Sequence, residues 1–142
     1  MKRHFLSKRD SKEFIDLLDK FGIPTDAKTV ELEENDVNII YLDKVPVLVK
    51  FQDRWLPTLK IMLANSFPSV VIDDGAVQRI KNGAKLYAVG ISKIEGQIRK
   101  GLPVIIQDLR GKNIGSALPE SDENEIVEKK KGAYLIVYEL YS

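Results

Sequence analysis

Residues 73–91, DDGAVQRIKNGAKLYAVGI, hold one short helix between two stops. Asp73 and Asp74 stand where a helix begins, because acids there favour the unpaired N–H groups and the positive end of the dipole. Successive side chains diverge, so this reading outweighs a catalytic or metal-binding pair. Ala76, Val77 and Ile80 supply a buried side, and Asn82-Gly83 ends the run as a C-cap. On either side lie short extended segments: 70–72, 85–91, 102–109, 114–118 and the closing AYLIVYELY, with RGKN (110–113) as a turn. Gly115 predicts a bulge or a close backbone approach. Several short strands around one short helix predict a small β-barrel.

The first half reads differently. Phe14, Leu17, Leu18 and Phe21 recur at helical spacing over 11–21, with Ser11 as N-cap and Gly22 and Pro24 ending the run. Residues 29–36 alternate Val30 and Leu32 with polar neighbours, as a strand does. Residues 37–43 and 45–51 read as a hairpin about Asp43-Lys44. A second helix is predicted over 57–67, with Leu59, Met62 and Leu63 on one face and Pro68 barring its continuation. This half makes a small α+β domain.

Several chemistries are disfavoured at once. The 142 residues include no cysteine, so disulfides, thiolate metal sites and cysteine nucleophiles are excluded. His4 is the single histidine and lies near the chain start, read as solvated, which leaves a serine triad or a zinc site without its parts. Asp43, Asp53 and Asp108 show no spacing that ties them to Asp73 and Asp74. The expectation is therefore no catalytic residue, no metal site and no cofactor. No apolar run reaches membrane-spanning length, and the charged start lacks a signal-peptide core, so the expected location is cytoplasmic.

Net charge is +1, but it is segregated. Residues 79–112 carry eight cations against two acids, a net +6; residues 120–128 carry −5, and residues 26–43 also −5. A basic window gathered on one face makes a positive field despite a neutral total. Gly83 and Gly90 place no bulk between the main chain and an approaching molecule. With Lys81 and Lys85 they describe a bare ledge flanked by cations, suited to a phosphodiester chain. Neither nucleotide-loop glycine pattern is present. Trp55 is assigned to core packing, while Tyr87, Tyr134, Tyr138 and Tyr141 can either fill the core or stack on bases. The basic start, Lys2, Arg3, Lys8 and Arg9, is either an extension of the binding footprint or a mobile arm.

VVIDDGAVQRIKNGAKLYAVGI, GLPVIIQDLRGKNIGSAL and KKKGAYLIVYELY together resemble a PUA domain, the pseudouridine-synthase and archaeosine-transglycosylase RNA-binding module. The helix start D-x-G-A-V, its exit I-x-N-G-A, the A-x-G-I strand end and the hairpin V-I-I-x-D-x-x-G-K-x-I-G carry the resemblance. Upstream, WLPTLKIMLANSFP resembles the joining segment of the malignant T-cell-amplified-sequence family of translation factors. Lys100-Gly101-Leu102 departs from the KGD that often opens such hairpins. Eukaryotic members are longer, and this compact chain resembles the archaeal type.

The resemblance implies an α+β fold: a small N-terminal α+β domain (1–66) followed by a PUA β-pseudobarrel with a short capping helix (67–142). It implies RNA binding around Asn82, Gly83, Ala84, Lys85 and Leu86, near the Gly90 strand edge. Arg79, Lys81, Lys85, Arg99 and Lys100 are the expected phosphate contacts. The implied partners are rRNA or tRNA, the small ribosomal subunit and a second protein, in initiation, re-initiation or recycling, without enzymatic activity. Two alternatives stand beside this: an accessory factor in ribosome biogenesis or RNA modification, and a protein-interaction module using residues 120–128 or 45–51.

Overall fold

The computed structural model describes residues 2–141. The chain divides between Ser66 and Phe67 into two compact units. The first is a five-stranded antiparallel sheet with two helices. In chain order it comprises β1 (Lys2–Phe5), α1 (Lys8–Lys20), β2 (Val30–Glu34), β3 (Ile39–Leu42), β4 (Val45–Phe51), β5 (Arg54–Pro57) and α2 (Leu59–Leu63). The sheet follows chain order from β1 to β5.

The basic start is ordered structure rather than an arm: Lys2 and Arg3 lie in β1, Lys8 and Arg9 in α1, and all four are exposed. Lys2 and Arg3 lie opposite Glu34 and Glu33 across the β1–β2 ladder. The Arg3 guanidinium sits 3.7 Å from the centre of the Tyr41 ring and pairs with Glu31 at 3.3 Å. Opposite charges directly across a ladder favour pairing, and β2 supplies the acids. Strand β2 forms as expected, with Val30 buried, but its acids are buried too. Glu31 and Glu33 are buried, while Leu32 is half-exposed. Lys44 Nζ lies 3.0 Å from Glu31, and the Tyr41 hydroxyl donates to Glu33 at 2.5 Å. These partners make the buried carboxylates tolerable.

The hairpin at Asp43-Lys44 forms as expected, with both residues at positive φ (46° and 72°). Gln52-Asp53 repeats that geometry (49° and 63°) and turns the chain into β5, which no glycine announces. Helix α1 begins a turn earlier than the sequence reading. Ser7, not Ser11, caps it by accepting from Asp10 N–H at 3.1 Å, and Ser11 is buried, donating to Ser7 O. Helix α2 is shorter than expected. Leu59 and Met62 are buried, Leu63 is exposed, and Thr58 caps the start. Trp55 packs edge-on against Phe14 at 5.2 Å.

The second unit is a curled six-stranded sheet with one α-helix and a short π-helical segment at Glu125–Lys129. It comprises β6 (Ser69–Ile72), α3 (Asp74–Lys81), β7 (Leu86–Tyr87), β8 (Ile91–Glu95), β9 (Val104–Gln107), β10 (Asn113–Pro119) and β11 (Tyr134–Leu140). Residues 88–90 make a single helical turn between β7 and β8, so the predicted extended run 85–91 is interrupted. The order is β7-β11-β10-β9-β6-β8. A continuous apolar cluster fills its inside, including Val70, Ile72, Ile80, Ile106 and Leu135. Gly115 meets both readings made for it. The β10–β9 and β10–β11 registers each shift near it, and a Cβ there would lie 2.3 Å from Glu139 O.

Asp43 ties the first unit together. Its Oδ1 accepts from Thr29 N–H at 2.8 Å, Lys28 N–H at 3.0 Å and the Thr29 hydroxyl at 3.1 Å. The Thr29 amide, then the Lys28 amide and nearby charge, hold its carboxyl below the usual aspartate range. A folded pKa below the unfolded value of about 3.9 means that the stabilisation is complete above that pH. It is lost as pH falls through the lower folded value. Thermal melts across the acid range should therefore show a falling midpoint, and Asp43→Asn should flatten that fall while lowering stability at neutral pH.

Candidate nucleic-acid interface

The corner singled out from the sequence is held from both ends. Asp73 caps α3, its Oδ1 accepting from Ala76 N–H at 2.7 Å, and its own N–H donates to Gly90 O at 3.0 Å. At the far end Asn82 N–H donates to the carbonyls of Gln78 and Arg79, Gly83 N–H to Ile80 at 3.0 Å, and Ala84 N–H to Arg79 at 3.1 Å. Gly83 has φ +92°, and a Cβ built there would meet nothing within 4 Å. Residues 81–85 are exposed throughout.

These bonds change the chemistry expected of the ledge. The amides of Asn82, Gly83 and Ala84 are spent on the helix end and do not offer donors to a phosphate. Left over are carbonyls: among the described residues no N–H donates to the carbonyl of Lys81 or Asn82. The corner is the negative end of the α3 dipole, which favours cations and hydrogen-bond donors. Positive charge comes from side chains instead, Lys81 and Lys85 on the corner itself.

Tertiary pairing adds groups that sequence spacing did not join. Tyr87 lies opposite Tyr134 on β11, their ring centres 6.2 Å apart, and Lys85 Nζ sits 4.4 Å from the centre of the Tyr134 ring. Tyr87 is 47% exposed. Ala88 N–H donates to Ala133 O at 2.9 Å, and the exposed run Lys129, Lys130 and Lys131 precedes that residue, with Lys130 beside Ile91 and Ile94 of β8. That KKKG run ahead of a strand was the signal available for them.

Other expected residues lie elsewhere. Leu86 is 1% exposed and belongs to the core, because its strand position faces inward. Gly90 is buried rather than open, since a Cβ there would lie 2.7 Å from Ala76 Cβ. Arg79 is exposed, but its guanidinium folds back over Gly75 and Gly90, toward the helix start. Arg99 and Lys100 are exposed beside Gly101, whose N–H donates to Pro119 O. Pro119 faces Leu135, and Leu135 faces Leu86. Strand β11 lies between β10, where that turn is held, and β7 beside the corner. The structure thus gathers Lys81, Asn82, Gly83, Ala84 and Lys85, and sets Arg79, Arg99 and Lys100 apart from them.

Asp73 is the helix cap, and Asp74 pairs with Arg110 at 3.2 Å. Among the described residues no three His, Asp or Glu side chains form a group able to hold a metal ion, and no helix is long and apolar enough to cross a membrane.

The PUA domain matches residues 68–137, and a domain of unknown function, DUF1947, matches residues 2–74. An uncharacterized protein of Methanocaldococcus jannaschii is 34% identical, the match covering 92% of this chain and 87% of that one. Two solved structures are similar over 98% of this chain at 25% identity. One is a hypothetical protein of Pyrococcus horikoshii (TM-score 0.76, 94% of that chain). The other is a conserved PUA domain protein of Thermoplasma acidophilum (TM-score 0.73, 93% of that chain). The chain belongs to this family, in which a DUF1947 domain precedes a PUA domain, and it is a PUA-domain protein of archaeal type.

Other matches are partial. A glutamate 5-kinase of Dictyoglomus thermophilum is 37% identical over 78% of this chain, which spans 31% of the kinase. A probable tRNA pseudouridine synthase B of Methanocaldococcus jannaschii is 33% identical over 51% of this chain and 21% of that enzyme. A structure of an H/ACA RNP bound to a substrate RNA contains a chain 30% identical over 54% of this one and 24% of its own length (TM-score 0.50).

Core and corner should separate in denaturant melts. Leu86→Ala should cost about 2–5 kcal/mol as a cavity in the second unit. Gly83→Ala, with open space but an unfavourable φ, should cost about 1–2 kcal/mol.

Proposed function

We propose that this chain is a non-catalytic, cytoplasmic RNA-binding protein. Its units 1–66 and 67–142 act as separate domains, and the corner Lys81–Lys85 is the centre of the RNA interface. The observation that carries the reading is the pairing of unclaimed carbonyls at Lys81 and Asn82 with lysine side chains beside the partly exposed Tyr134 ring and the exposed Tyr87 ring. A bare anion gains little at the negative end of a helix. A ribose chain brings what that end accepts, because its 2′-hydroxyl donates to a carbonyl while its phosphates reach Lys81, Lys85 and the run 129–131. Tyr87 offers an exposed ring for an unpaired base. DNA lacks the hydroxyl, so the same arrangement favours RNA.

The RNA class follows the relatives. Pseudouridine synthases and the H/ACA particle act on RNA by their own names, while the glutamate kinase match leaves the module alone insufficient to define the ligand. Resemblance to the translation-factor family supports tRNA or rRNA on the small ribosomal subunit, together with a protein partner, during initiation, re-initiation or recycling. The tRNA-modifying relatives favour a second reading, an accessory factor for RNA modification or ribosome assembly. Co-sedimentation decides between them: mature small subunits carry the first, precursor particles the second.

Filter binding with an RNA stem-loop and its DNA counterpart tests the interface. The RNA should bind more tightly. Lys81→Glu with Lys85→Glu should weaken it at least about ten-fold. Each lysine neutralised should reduce the steepness of the log–log salt dependence by roughly 0.7–0.9. Binding that ignores salt, or survives both charge reversals, removes the corner from the interface.

A further inference from the structure

Helix α3 presents a second surface that the corner does not use. Asp74, Val77, Gln78 and Lys81 recur at i, i+3, i+4 and i+7 and so form one stripe. That stripe faces the turn between β9 and β10 across a groove of about 450 Å³, with Tyr141 also on its wall. The turn is rigid. Asp108 Oδ1 accepts from the N–H groups of Arg110 and Lys112, each at 2.9 Å, and Asp108 N–H donates to Lys112 O at 3.0 Å. Both acids of the groove are committed to one cation: Arg110 lies 3.2 Å from Asp74 and 3.5 Å from Asp108. Lys81 and Lys112 also line the groove, and among the described residues neither ammonium lies within 4 Å of a carboxylate, although the Lys112 charge acts on Asp108 at longer range.

Tyr141 is held at two points, its N–H donating to Ile114 O at 2.7 Å and its hydroxyl to Glu139 Oε2 at 2.6 Å. Burial of the hydroxyl and the Glu139 carboxylate push its pKa up, so the ring stays neutral. It is nevertheless 46% exposed. A fixed, half-exposed ring beside two unpaired lysines and an amide side chain has the parts needed to hold one nucleotide. The ring stacks on the base, Gln78 supplies donor and acceptor to a base edge, and the lysines take the phosphate.

We infer that this groove holds a single unpaired nucleotide of the bound RNA, its base against Tyr141 and its phosphate between Lys81 and Lys112. The inference rests on the RNA-binding reading, because Lys81 belongs to both surfaces and makes the groove a continuation of the corner. A strand leaving Lys85 along α3 meets the groove at Lys81.

The test uses the full chain and a stem-loop RNA with a short single-stranded 3′ overhang, 5-iodouridine replacing one overhang position at a time. Light-induced crosslinks are mapped by mass spectrometry, and affinity is measured for Tyr141→Ala, Tyr141→Phe and Lys112→Glu. A crosslink at Tyr141 is expected from one overhang position. Tyr141→Ala should weaken binding roughly ten-fold or more, Tyr141→Phe should stay near wild type, and Lys112→Glu should weaken binding without changing the melting temperature. Wild-type affinity in Tyr141→Ala and Lys112→Glu, with crosslinks only at Tyr87 or Tyr134, overturns the groove and leaves the corner standing. Failure of the unmodified RNA to bind at all overturns both.

Discussion

The second unit depends on one close approach. Gly90 lies so near Ala76 that a single added carbon would come within 2.7 Å of the alanine methyl. Without a side chain at Gly90, α3 can rest directly on the strand connection, and the Asp73 N–H can reach the Gly90 carbonyl. That contact fixes the position of the helix start, and eight residues of rigid helix carry the position to its end. The corner at 81–85 and the stripe facing the β9–β10 turn are both consequences. A glycine that the sequence reading placed at an open ledge is instead the seat on which the helix rests.

Charge in this chain does different work in its two halves. In the first, acids and bases that are far apart in sequence meet across strands, as Glu31 does with Arg3 and Lys44. They are consumed by the fold. In the second, Asp74 and Asp108 share Arg110, while Lys81, Lys85, Lys112 and the run 129–131 remain exposed, as do Asp122, Glu125 and Glu128. Charge of each sign is therefore gathered locally rather than cancelled. The near-neutral total conceals this.

The corner also shows why a helix C-terminus is a particular kind of binding surface. Its amides are closed by the cap and its carbonyls are open, so it accepts hydrogen bonds and repels bare anions. Surrounding lysines reverse the second property without altering the first. A ligand satisfying both must carry negative charge and a hydroxyl or amino donor close together, which describes a ribonucleotide chain well.

Much of this was written in local sequence. The caps of α3, its buried face, the Asp43-Lys44 turn and the constraint at Gly115 all follow from short-range rules, because each is satisfied within a few residues or by one residue's conformational freedom. What local sequence could not settle is which of two faces a strand residue takes and which distant groups become neighbours. Leu86 turned inward, β1 found its acids on β2, Tyr134 came under Lys85, and Tyr141 came beside α3. Those outcomes depend on strand register and sheet order, where a shift of one residue exchanges inside for outside, and only the assembled sheets determine them.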